Sequence, residues 1–109
     1  MPKPFTPIND RQAFADLLTQ SQQEPVILFK HDFACPISAA ARRQLERLPD
    51  AVYLIDVSDQ PLSLGIADQL GVAHQSPQVI VLRHGRPVWD AALYDISAAA
   101  VQAATHQHQ

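Results

Sequence analysis

The chain has one cysteine, Cys35, and so no partner for an internal disulfide, which fits a reducing compartment. One cysteine and five scattered histidines offer no recognisable zinc-ligand spacing, so no metal is expected. No apolar run reaches the ~18 residues needed to cross a bilayer, and no membrane association is expected. The opening "MPKPFTPIND" is polar and proline-punctuated and lacks the apolar stretch of a secretory signal, which makes the cytoplasm the expected location. The formal charge is −3, and the basic residues are dispersed. "ARRQLERL" is their one cluster, and it contains Glu46, as the wet face of a helix does. Nucleic-acid binding normally needs a basic stripe, so it is not expected.

What is present reads as a single domain over residues 1–109, with an extended N-terminal segment at 1–8 and a frayed tail at 106–109. Asn9 followed by Gln12 is a capping-box pattern. It opens a helix near 10–21 whose apolar face is Ala13, Phe14, Leu17 and Leu18. "PVILF" at 25–29 and "AVYLIDV" at 51–57 read as strands covered on both faces. Between them Ile37, Ala41, Leu45 and Leu48 recur at helical spacing until Pro49. A third helix starts at Pro61, buries Leu62, Ile66 and Leu70, and stops at Gly71. "QVIVLRHGRPVWDA" at 78–91 is a hairpin turning at His84-Gly85, and an alanine-rich helix runs from Asp95 or Ser97 to about Thr105. Strands alternating with helices imply parallel pairing, and the late hairpin adds an antiparallel pair. The expected fold is α/β and thioredoxin-like, a mixed central sheet with helices on both faces.

Cys35 falls at the junction of the first buried strand and the second helix, as the N-cap. Pro36 suits the first helical position because it lacks an N–H and presets φ. The amides of Ile37 and Ser38 and the positive end of the helix dipole then favour thiolate over thiol. Cysteines so placed can fall from a pKa of about 8.5 to roughly 3.5–7.5, and the thiolate is the species that attacks disulfides. Ser38 stands where a C-x-x-C protein has its second cysteine. Its hydroxyl is expected to donate to the sulfur, but it cannot resolve a mixed disulfide. Free cysteine is also among the most buried residue types. The junction, the proline and the serine favour the catalytic reading.

A second signal is Ser76-Pro77, just before the hairpin. Cis X–Pro bonds are uncommon, about 5–6% in folded proteins, yet the thioredoxin-like topology favours one here. An exposed Gln75/Ser76 backbone would then pair with an extended substrate. Lys30 and His31 read as a solvated pair near the sulfur, with substrate contact as the sharper alternative. His74 is a further candidate contact, although a plain loop histidine is the simpler reading. Asp32 opposes a neighbouring thiolate. Trp89 and Tyr94 read as packing residues, and His106 and His108 as tail.

With these residues in place, the chain resembles the monothiol bacilliredoxins of the YtxJ-like family. The resemblance lies in "FKH…CPIS" at 29–38, "PLSLGIADQLGVAHQSPQVIVLRHGRPVW" at 61–89 and "YDIS" at 94–97. It departs at Asp32-Phe33-Ala34, where small hydroxyl residues are common in that family. The resemblance implies a thiol–disulfide oxidoreductase that takes bacillithiol, a low-molecular-weight thiol, as co-substrate and binds no cofactor tightly. Cys35 would attack S-bacillithiolated client proteins, and bacillithiol or a bacillithiol-linked reductase would regenerate it. Two other readings remain at this point. One is a redox sensor without turnover. The other is an iron–sulfur or thiol-binding module like the C-G-F-S glutaredoxins, against which Pro36 and Ile37 count.

Overall fold

The computed structural model describes residues 4–109. Its elements are β1 (Thr6–Pro7), α1 (Arg11–Gln20), β2 (Val26–His31), α2 (Pro36–Leu45), β3 (Val52–Asp56), α3 (Gln60–Leu70), β4 (Gln78–Arg83), β5 (Arg86–Ala92) and α4 (Ala98–Gln107), with a 3-10 turn at Leu93–Asp95. The strands form one sheet in the order β1-β3-β2-β4-β5. β1, β3 and β2 run parallel, while β4 is antiparallel to β2 and β5 to β4. This is the expected mixed sheet of the thioredoxin fold. Among the described residues no helix is long and apolar enough to cross a membrane.

Each face of the sheet has its own core. Val26 and Leu28 of β2, Ile55 of β3 and Ile80 and Leu82 of β4 pack against Phe14 and Leu17 of α1 and Leu62 and Ile66 of α3. The alternate residues Ile27, Phe29, Leu54 and Val79 pack against Ala41 and Leu45 of α2 and Val101 of α4. Side chains alternate along a strand, so one continuous apolar run supplies both cores.

Local chemistry sets the element ends. α1 is capped by Asp10, whose carboxylate accepts the Ala13 N–H at 2.8 Å, so the cap lies one residue beyond the expected Asn9. α3 is capped by Asp59, has proline in its first turn and ends at Gly71 with φ 69°. His84 (φ 58°) and Gly85 (φ 76°) are both left-handed, which defines a type I′ turn. Ser97 caps α4 by accepting the Ala100 N–H at 3.1 Å.

Two expectations are corrected at the termini. Part of the N-terminal extended segment is an edge strand, with Thr6 and Pro7 in register with Tyr53 and Leu54. Residues 1–3 of that segment lie outside the described residues. At the other end, α4 runs to Gln107, so His106 and Gln107 of the expected tail are helical, with His108 as the C-cap. The Arg83 guanidinium donates to the carbonyls of His108 (3.0 Å), Ser21 (3.0 Å) and Gln22 (2.9 Å). It clamps the last turn of α4 to the end of α1. Arg83→Met is expected to cost about 1.5–3 kcal/mol, the usual worth of hydrogen bonds from a charged donor. It should also speed amide exchange at His108; unchanged exchange there would refute the clamp.

Candidate active site

β2 is the central strand, and all six of its residues are buried. It delivers the chain to the site with two polar side chains at its end, pointing to opposite faces. Lys30 and His31 were expected at the surface. They are instead sealed, at 0% and 3% exposure. β2 is covered on both sides, and each polar head finds a buried partner, Lys30 on β4 and His31 on the first turn of α2.

The Lys30 ammonium donates to Gln78 Oε1 at 3.1 Å, across the β2–β4 ladder where the two residues are paired. Gln78 Nε2 in turn donates to the Ala73 carbonyl at 3.2 Å. Burial lowers the Lys30 pKa from 10.5 to about 8. On the other face, His31 Nδ1 lies 2.6 Å from Ser38 Oγ. Its ring stacks on Phe29 at 5.0 Å and meets the edge of Phe33 at 4.3 Å. Burial, and then the charge of Arg42, lower its pKa against the opposing pull of Asp32 and Asp56.

Beyond His31 the chain makes one tight turn. The Cys35 N–H donates to the Asp32 carbonyl at 3.1 Å, and the Ala34 N–H to Asp32 Oδ1 at 2.9 Å. Cys35 is then the N-cap of α2, with φ −110° and ψ 123°, and Pro36 stands in the first turn. The Cys35 carbonyl accepts the first helical bond, from Ala39, at 3.0 Å. The residue is partly exposed. Its side chain makes no capping hydrogen bond, so the expected direct contact with the Ile37 and Ser38 amides is not formed.

Ser38 departs from expectation as well. Its side chain is fully buried, and its oxygen accepts the Asp32 N–H at 2.9 Å while meeting the His31 ring. The hydroxyl is engaged with the end of β2 rather than with the sulfur. Ser38 therefore joins strand, turn and helix where a second thiol would otherwise stand.

The second loop follows α3. The Ser76–Pro77 bond is cis. Pro77 is buried, and its carbonyl accepts the Leu93 N–H at 3.0 Å, so it shapes the loop from below. Gln75 is exposed and Ser76 half-buried, which leaves those two within reach of a ligand. His74 is exposed, with Nδ1 3.4 Å from Ser63 Oγ. Burial and the charge of Lys30 lower its pKa. Asp32 and Ser76 line one cavity, which brings the thiol turn and the proline loop together.

Tyr94 was expected to pack, but it is 81% exposed, while Trp89 does pack against the core on the α2 side. Leu93, missed in the sequence, has φ 55° beside Pro77. Nothing in its identity announces a left-handed leucine. Ser58, Gln60 and Ser63 were missed too; they join Asp32 and Ser76 only through the fold.

A cysteine at the N-cap of a helix and a cis-proline loop, both on this sheet, define a thioredoxin-fold redox protein. The chain belongs to the monothiol bacilliredoxins: the family model described as "Monothiol bacilliredoxin BrxC" matches residues 6–101. Its function is thiol redox chemistry. Among solved structures, a protein provisionally assigned as an oxidoreductase with a thioredoxin fold is 27% identical. That match covers 91% of each chain, with a TM-score of 0.84. Thioredoxin from Fasciola hepatica is 11% identical, with 96% of this chain and 100% of that one covered and a TM-score of 0.75. Mitochondrial thioredoxin 3 from Saccharomyces cerevisiae, in its oxidised form, is 17% identical over 94% of each chain, with a TM-score of 0.72. The last two share the fold.

Two predictions follow from the buried polar pairs. The unfolded chain holds the Lys30 proton up to about pH 10.5, the folded chain only to about 8. Between those values the unfolded state binds more protons, so this residue makes stability rise with pH. Denaturant titrations over that window should show the wild type gaining on Lys30→Met as pH increases; a constant difference would refute the assignment. Ser38→Ala strips the Asp32 N–H and the His31 ring of their common partner. It should cost about 1–3 kcal/mol in the same measurement, the penalty for leaving buried polar groups unpaired.

Proposed function

We propose that the protein removes bacillithiol from mixed disulfides formed on client proteins. The observation that carries this reading is a partly exposed Cys35 capping α2, without a second cysteine, in a chain of the monothiol bacilliredoxin family. The attacking species in disulfide exchange is the thiolate, and Cys35 holds the N-cap position of α2.

The Cys35 thiolate attacks the bacillithiol sulfur of the mixed disulfide. A new disulfide forms between Cys35 and bacillithiol as the old one breaks. The client sulfur leaves with the bonding pair and takes up a proton. No net oxidation occurs, because one disulfide replaces another. The backbone of Gln75 and Ser76 offers the extended client segment a strand-like edge. A second bacillithiol, or a bacillithiol-linked reductase, then attacks the Cys35 adduct and restores the free thiol. Ser38 takes no part in that release. Its hydroxyl keeps the turn and helix in register around the sulfur.

Intact-mass measurement after mixing with bacillithiol disulfide should give one adduct per chain, on Cys35, and glutathione disulfide should give far less. Cys35→Ser should abolish removal of bacillithiol from a modified client while leaving the fold unchanged by circular dichroism. Retained removal would place the chemistry elsewhere. An adduct that forms without turnover would make the protein a sensor.

A further inference from the structure

A cavity of about 380 Å³ opens between the thiol turn and the proline loop. Small-molecule sites start at about 300 Å³. Asp32, Ser58, Gln60, Ser63, His74 and Ser76 are among its lining residues. Three hydroxyls, an amide and an imidazole both donate and accept hydrogen bonds, which suits a polyol far better than an apolar ligand.

Val57 and Leu64 complete the lining, so the cavity is part apolar. Asp32 stands on the turn that carries Cys35, since the Cys35 N–H binds the Asp32 carbonyl. Its carboxylate accepts one bond from Ala34, and a carboxylate can accept about four. The Asp32 side chain lines the cavity from that turn, with acceptor capacity left over for a cationic group, and His74 lines it from the proline loop.

We propose that this cavity is the subsite for the non-cysteinyl part of the small thiol, with Asp32 binding the free α-ammonium group of its cysteinyl unit. The proposal rests on the function above and names its specificity element. In bacillithiol the cysteine is joined to the sugar through its carboxyl group, so the amine next to the thiol-bearing carbon is free. In glutathione that nitrogen is an amide and carries no charge. Asp32 therefore separates the two thiols at the one point where they differ close to sulfur. The serines and Gln60 take the sugar hydroxyls, and the His74 imidazole donates a hydrogen bond to the malyl portion.

The test compares transfer from one carrier protein bearing bacillithiol, cysteamine or glutathione as mixed disulfides. Cysteamine has the free amine and no sugar. Asp32→Asn keeps an oxygen for the Ala34 N–H, and should lower the bacillithiol-to-glutathione ratio of kcat/KM about tenfold, the worth of one charge-assisted hydrogen bond. The cysteamine-to-glutathione ratio should fall equally. Gln60→Ala, on a separate element, should lower the bacillithiol-to-cysteamine ratio through KM. Equal effects of Asp32→Asn on all three donors would overturn ammonium recognition, and indifference to Gln60→Ala would overturn the sugar subsite. A wild type that cannot remove bacillithiol at all would overturn the proposed function, and this subsite with it.

Discussion

The Ser38 hydroxyl meets the ring of His31 at 2.6 Å in the buried interior and accepts the backbone N–H of Asp32 at 2.9 Å at its margin. Through them the last residue of the central strand, the turn that follows and the first turn of α2 are held as one piece. Cys35 sits inside that piece, with its own N–H and carbonyl already committed to the turn and the helix. The direction in which the sulfur leaves the backbone is therefore set by groups that never touch it. Burial makes the arrangement stiff, because breaking the Ser38–His31 contact strands polar groups in a dry interior.

Lys30 does for the second loop what His31 does for the first. It leaves β2 on the opposite face, and its ammonium is linked through Gln78 to the carbonyl of Ala73. Two successive residues of one strand thus anchor the two loops that frame the thiol. An amine drawn down to about 8 in pKa shows what holding that loop costs in desolvation. After burial, the same charge is the second cause that lowers the pKa of His74, a residue of the proline loop that lines the cavity shared with the thiol turn.

Much of this was legible in the residues. The apolar runs at 25–29 and 51–57, Gly71, the His84-Gly85 turn and the helical spacing after Cys35 each have one dominant local cause. Together they yield the element order and the thioredoxin-like sheet. Cys35 with Pro36 marked the helix mouth. Edge strand β1 was not legible, because Thr6–Pro7 is too short to show a period and is defined by its partners on β3. The α1 cap slipped by one because Asn9 and Asp10 are both good caps. Lys30 and His31 were misread for a deeper reason: a polar side chain looks solvated until its buried partner is known, and Gln78 lies 48 residues away. The Ser38 hydroxyl was misdirected in the same way, since the sequence shows the neighbouring sulfur and hides the strand beneath.

The commitment of position 38 to oxygen also bears on time. A protein with two thiols can discharge its own intermediate in a step governed by internal geometry. Here no atom of the chain can clear a loaded sulfur, so dwell time is dictated by whatever diffuses in. Under the proposed function, the share of molecules carrying a passenger at any instant then tracks the reduced thiol in the surrounding solution.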